Sequence, residues 1–384
     1  MTPTAPTWDL FCTVVDNFGD IGVCWRLARQ LASEHGAPIR LWVDDLGAMR
    51  SIAPTAKEVA QQMIDGVNVR HWTSESADSA PPADIVIEAF ACELPPAYLA
   101  NMARRARPPV WINLEYLSAE DWVTGCHGLA STHPQLGLRK HFFFPGVRPG
   151  TGGLIKEGAL DARRAACLYD LAAQTEWWSR MGVVTPTADA LRVSLFSYEN
   201  PALPSLLDAW AAGDRAVHCA VPAGRPLPAI AAWSGRESLA PGDVIEAGAL
   251  RVCILPFMSQ DDYDRLLWMS DVNFVRGEDS FVRAQWARRP FIWHIYRQDE
   301  NAHMEKLHAF LGVYSEGLAP EVRTALEDIW CAWNQAPTGI GKAWATLGTT
   351  LPALRAHADQ WADGLAKQGD LASNLALFCK SLVE

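Results

Sequence analysis

The 384-residue chain reads as α/β, two successive domains each built on a mainly parallel sheet. Three observations predict this. Short apolar runs alternate with stretches of helical spacing, the mark of βαβ units. The alternation breaks between Gly182 and Pro186 and then restarts, so there are two such stretches. In each, a polar glycine-bearing turn follows an apolar strand and precedes a helix, at Asp16–Gly22 and at Arg276–Ser280.

Taken in order, Trp8 to Val15 is a first buried strand, and Asp16 to Gly22 is its turn. Val23 to Leu31 places apolar residues at helical spacing. Ile39–Val43 is a second strand, Val67–Trp72 a weaker one, Ile85–Phe90 and Val110–Tyr116 two strong ones. In parallel sheets ligands sit at the carboxyl ends of strands. Asp16 to Asp20, Phe90 to Glu93 and Glu115-Tyr116 all fall at such ends. His141–Val147 is an apolar run leading into the loop 149–153, and residues 161–182 are helical. The break that follows sets a first domain of residues 1–183. The second domain, 184–355, takes strands at Leu191–Tyr198, Ala216–Val221, Leu250–Leu255, Asp271–Val275 and Phe291–Ile295. Helices fall at Leu203–Ala212, Asp261–Met269 and after Ser280. The remainder, 356–384, is helical. Its last helix, Leu371 to Val383, spaces Leu371, Leu375, Phe378 and Leu382 on one face, a pattern for packing back on the first domain.

Composition excludes several classes. Apolar residues are 49% and charged residues 20%, so no disorder is indicated. The net charge of −11 argues against a nonspecific nucleic-acid binder and suits a basic protein partner. No run approaches a membrane span, and the N-terminus lacks the pattern of a signal peptide. The nine cysteines are dispersed with no C-x-x-C pair, which fits buried thiols in the cytoplasm and neither a zinc cage nor a disulfide framework.

The two turns carry different chemistry. Arg276-Gly277-Glu278-Asp279-Ser280 joins a strand to a helix whose N-terminus, with Asp279 and Ser280 as cap types, would face a diphosphate; Arg276 adds a permanent cation. As a local reading, a capped helix with a solvated charge cluster fits equally well. The first turn is not a dinucleotide fingerprint, since only Gly19 and Gly22 are present and two carboxylates would repel a pyrophosphate. Taken alone, Asp20 reads as a helix N-cap and Asp16 as a turn-stabilising side chain.

Two successive α/β domains are the plan of GT-B nucleotide-sugar glycosyltransferases, two Rossmann-like domains facing a cleft with a C-terminal helix returning to the first. Longer strings narrow this. Asp16-Asn-Phe-Gly-Asp-Ile-Gly-Val-Cys-Trp-Arg-Leu-Ala-Arg29, Glu88-Ala-Phe-Ala-Cys92, Glu115-Tyr-Leu-Ser-Ala-Glu120, Arg276-Gly-Glu-Asp-Ser-Phe-Val-Arg-Ala-Gln285 and Phe291-Ile-Trp-His-Ile-Tyr-Arg-Gln-Asp-Glu-Asn301 closely resemble the arginine rhamnosyltransferases of bacterial elongation factor P. The resemblance runs from about Trp8 to His308. It implies transfer of rhamnose from dTDP-β-L-rhamnose, with inversion, to one arginine of elongation factor P, which activates the factor. It implies a monomer that uses no metal or other cofactor and binds no nucleic acid or membrane.

Position by position, the resemblance implies Asp20 as general base, Asp16 and Asn17 as its neighbours, and Glu278 as the second essential carboxylate. Asn17, Phe18 and Gly19 would meet the donor sugar. Phe196, Tyr198, Phe257, Gln260, Arg276, Asp279 and Ser280 would hold the rest of the donor, the three rings around thymine. Ser197 stands where the family often has glycine before the tyrosine. Without the resemblance these rings read as ordinary core. The chemistry agrees. Arginine is a poor nucleophile with a pKa above about 12. A carboxylate can fix the guanidinium and take its proton as the C–N bond forms. Two other readings stand beside this one: a glycosyltransferase with another acceptor, and a nucleotide-binding protein without catalysis, in which Asp20→Ala would leave function intact.

Overall fold

The computed structural model describes residues 5–15, 18–298, 301–335 and 338–383. Asp16 and Asn17 lie outside the described residues. By its contacts the chain divides into residues 1–158 with 365–384, and residues 159–364.

The first unit holds an eight-stranded sheet. Its strands are β1 Trp8–Cys12, β2 Ile39–Val43, β3 Gln61–Ile64, β4 Val67–His71, β5 Ile85–Ala89, β6 Val110–Leu114, β7 Ala130–Thr132 and β8 Arg139–Phe143. Their order is β3-β4-β2-β1-β5-β6-β8-β7, with β3 and β7 antiparallel on the two edges and the rest parallel. Both β1 and β5 are buried along their whole length, as central parallel strands covered on two faces must be. On one face Phe11, Trp42, Val86, Tyr98 and Trp111 form an apolar cluster. The buried Asp9 carboxylate ties this face together, accepting from Arg40, Trp42 Nε1 and the Tyr98 hydroxyl. The helices Gly19–His35 and Leu371–Val383 pack on each other. Leu371, Ala372, Leu375 and Cys379 are the buried positions of the last helix. Phe378 packs among His127, His141 and Phe143, whereas Leu382 is exposed.

The second unit has six strands: β9 Leu191–Leu195, β10 Val217–Pro222, β11 Val244–Ala247, β12 Leu250–Leu255, β13 Val272–Arg276 and β14 Phe291–His294. The order is β11-β12-β10-β9-β13-β14, parallel except for the edge strand β11. The helices Leu160–Tyr169 and Leu171–Arg180 belong here, so the contact boundary falls at 158/159 rather than at 183/184. The cause is Asp262, which accepts from Trp177 Nε1 at 2.9 Å and Arg180 Nη2 at 2.7 Å. At the other end the helix Ile340–Ala366 stays with this unit until Gly364, beyond the expected limit of 355. Arg288 bridges to Asp363 at 2.6 Å, and Trp361 Nε1 donates to Gln285 at 2.9 Å.

In each sheet the chain order reverses at one point, between β1 and β5 and between β9 and β13. The loops leaving paired strands diverge there and open a crevice at the carboxyl ends, the usual ligand position in such sheets.

Candidate active site

In the first unit Val15 after β1, Phe90 after β5 and Tyr116 after β6 come together around Asp20. The helix Gly19–His35 starts four residues earlier than expected, with Phe18 at its N-cap making no side-chain cap bond. Gly19 is its first residue, and Asp20 sits inside the first turn instead of capping it. Asp20 is 2% exposed. Its Oδ2 accepts from the Val15 N–H at 2.8 Å, and its Oδ1 accepts from the Tyr116 hydroxyl at 3.1 Å. Both oxygens of the buried Asp20 carboxylate are therefore hydrogen-bonded. Phe18 is half-buried beside it in sequence.

In the second unit β13 ends at Arg276, and Gly277 turns the chain with φ +61°, a conformation open to glycine and costly for most other residues. Glu278 is the N-cap of the helix Asp279–Trp286. The expected caps are not used: Ser280 Oγ bonds back to the Arg276 carbonyl and accepts from the Arg276 N–H at 3.0 Å. The serine thereby staples the turn that carries Arg276. The Asp279 carboxylate accepts from Gln260 Nε2 at 3.0 Å, joining this turn to the helix after β12. Phe257, on the exit of β12, is 36% exposed.

Phe196 and Tyr198 follow β9, the strand beside β13. The Arg276 guanidinium carbon lies 4.5 Å from the Phe196 ring centre and 4.7 Å from that of Tyr198. The two rings thus meet a cation, where stacking on the quadrupole faces is favourable. Three neighbours were not read from the sequence. Tyr198 packs edge-on against His294 and Tyr296 at the end of β14, and Phe196 leans on Tyr263. Burial, with Arg276 adding repulsion, pushes His294 down to about 3, so this ring is neutral at pH 7. Its place at a strand end beside the glycine turn was the available signal. Tyr116 was read only as one of the strand-end residues grouped with Asp20 and Phe90, without its bond to Asp20.

The structure therefore brings Phe196, Tyr198, Arg276 and Ser280 together and links Gln260 to Asp279; in the first unit it sets Asp20 against Val15 and Tyr116. Arg276, the neutral His294 and the positive end of a helix make the second crevice suited to a diphosphate. Among the described residues, no group of three or more His, Cys, Asp or Glu side chains is placed to hold a metal ion, and no helix is long and apolar enough to cross a membrane.

A family model described as "Elongation-Factor P (EF-P) rhamnosyltransferase EarP" matches residues 8–380. A "Protein-arginine rhamnosyltransferase" of Pseudomonas putida is 53% identical over 377 residues, covering 98% of this chain and 99% of the relative. One of the same name from Pseudomonas aeruginosa is 52% identical over 373 residues, covering 97% and 98%. A solved structure described as the "Structural basis for EarP-mediated arginine glycosylation of translation elongation factor EF-P" is 38% identical with a TM-score of 0.70, covering 98% of this chain and 99% of that one.

Proposed function

This chain belongs to the elongation factor P rhamnosyltransferase family and is a GT-B glycosyltransferase, and from that premise we propose how it works: it transfers rhamnose from dTDP-β-L-rhamnose, with inversion, to one arginine guanidinium of elongation factor P. The observation that carries the donor half is the turn after β13. There a strand end, a glycine at φ +61°, a helix N-terminus and a ring-stacked guanidinium meet at one point. Arg276 and the helix dipole meet the charge that grows on the leaving diphosphate, and act from fixed positions. Phe257, Phe196 and Tyr198 supply apolar surface for thymine, and Gln260 holds Asp279 in place. Phe18 and Gly19, with Asn17, meet the sugar.

Asp20 accepts the proton. As the guanidinium nitrogen attacks the anomeric carbon, the C–N bond forms and the bond to the diphosphate oxygen breaks. The nitrogen's proton passes to the Asp20 carboxylate, and dTDP leaves with the bonding pair. Glu278, next to the diphosphate turn, is the second carboxylate, and Asp16 supports the acceptor side. The net charge of −11 favours approach of a basic acceptor surface. A translation factor as acceptor supports a cytoplasmic location for the enzyme.

The assignment demands an asymmetry. Asp20→Asn should lower turnover by about a hundredfold to ten-thousandfold and leave donor affinity unchanged. Glu278→Gln should lower turnover and alter donor binding as well, because it adjoins Asp279 and Ser280. Calorimetric titration with dTDP-rhamnose and parallel transfer assays measure both. Near wild-type transfer by Asp20→Asn would remove Asp20 as the base.

A further inference from the structure

We propose that Tyr116 positions the Asp20 carboxylate for proton transfer, and that the loop after β5 holds Tyr116 for that task. The proposal rests on the reading of Asp20 as the base.

The Tyr116 ring is partly exposed, so burial alone does not account for its place. It stacks on Phe90 at 4.3 Å between centroids and 13° between planes. Its hydroxyl donates to Asp20 Oδ1 at 3.1 Å, while the Val15 N–H holds Oδ2. Bonds at both oxygens fix the plane of a carboxylate. A guanidinium is met best in plane, by paired hydrogen bonds, so the orientation of that plane decides whether a proton can be taken efficiently.

The support beneath Tyr116 is strained. Phe90, Ala91 and Glu93 have φ of 56°, 54° and 52°, three non-glycine residues in the left-handed region within four positions. Such residues cost energy and persist only where the surroundings hold them, most often at functional sites. Here the surroundings are specific. The Phe90 N–H donates to the Leu114 carbonyl at 2.7 Å, and Cys92 Sγ donates to the Phe11 carbonyl at 3.5 Å. The buried Asn113 accepts from the Ala91 N–H at 3.1 Å and donates to the Glu115 carboxylate, the residue just before Tyr116. The Glu115 N–H donates to the Phe143 carbonyl at 2.9 Å, extending the sheet to the foot of Tyr116. One buried amide thus clamps both the strained loop and the strand end, and the product is a tyrosine hydroxyl at a fixed point on Asp20.

Tyr116→Phe keeps the stack on Phe90 and removes only the hydroxyl. It should lower kcat about tenfold, with the donor KM and the dTDP Kd within about twofold of wild type. Phe90→Leu leaves the hydroxyl but loosens its support, and should lower kcat by less, again without a change in donor affinity. The decisive comparison is the double variant. If Tyr116 acts through Asp20, Asp20→Asn with Tyr116→Phe turns over no more slowly than Asp20→Asn alone. Wild-type kcat in Tyr116→Phe, while Asp20→Asn is crippled, would overturn the positioning role and leave the base assignment standing. So would a tenfold further loss in the double variant. Wild-type kcat in Asp20→Asn would overturn both.

Discussion

Replacing Arg276 by glutamine removes a buried cation held between two aromatic faces, and the structure sets the scale of the loss. The guanidinium lies 4.5 and 4.7 Å from the Phe196 and Tyr198 ring centres and is 6% exposed. Desolvated cation–π contacts are worth roughly 1 to 2 kcal/mol each, so the fold should lose about 2 to 4 kcal/mol, measurable by denaturant unfolding. Donor binding should lose a separate amount. A charge-assisted contact to a phosphate oxygen is worth about 1.5 to 3 kcal/mol, or roughly tenfold to 150-fold in Kd. Calorimetry with dTDP and with thymidine separates the two effects, because thymidine carries no phosphate. The glutamine variant should weaken dTDP by that factor and thymidine little, while Arg276→Lys, which keeps the charge but not the planar stack, falls between. A dTDP Kd within about twofold of wild type, in a folded Arg276→Gln protein, would show that Arg276 does not contact the diphosphate. Equal weakening of dTDP and thymidine would show that Arg276 serves only to brace the rings.

Two further outcomes follow from the same geometry. Chelators should leave turnover unchanged, because Arg276 and the helix N-terminus are there to meet the leaving charge; activity lost to a chelator and restored by magnesium or manganese would count against this. Stability should fall with acid through His218, which burial, helped by Arg251 and Arg192, pushes down to about 4. Between its ordinary value near 6.5 and about 4 the unfolded chain takes up a proton that the folded chain refuses, so stability is present above this window and lost within it, up to roughly 3 kcal/mol. His294 contributes over the same window, so His218→Leu should make the dependence of unfolding free energy on pH less steep there, and an unchanged slope would exclude a contribution from His218.

The central strands were legible because both faces are buried: Leu41, Trp42 and Val43, or Val252 to Leu255, read as unbroken apolar runs. The antiparallel edge strands were not. β7 is exposed at all three residues and β3 at two of four, so neither shows a run or a clean alternation. The start of the helix Gly19–His35 was hidden by Gly19 and Gly22, poor helix formers that the packing of the whole helix overrides. At the candidate site the residue types were readable and the partners were not. That Ser280 turns back on Arg276, or that Tyr116 reaches Asp20 across 96 positions, depends on which strands lie side by side. No local pattern encodes that. The contact boundary between the units differs from the expected one for the same reason, since Asp262 draws in Trp177 and Arg180 from more than 80 positions away.

The most direct test of the account is the intact mass of elongation factor P after incubation with this protein and dTDP-β-L-rhamnose. One added deoxyhexose per factor is expected, located on a single arginine by fragmentation, and lost when that arginine is replaced by lysine or when the enzyme carries Asp20→Asn. An unmodified factor in the presence of folded enzyme and intact donor, or sugar attached to a residue other than arginine, would contradict it.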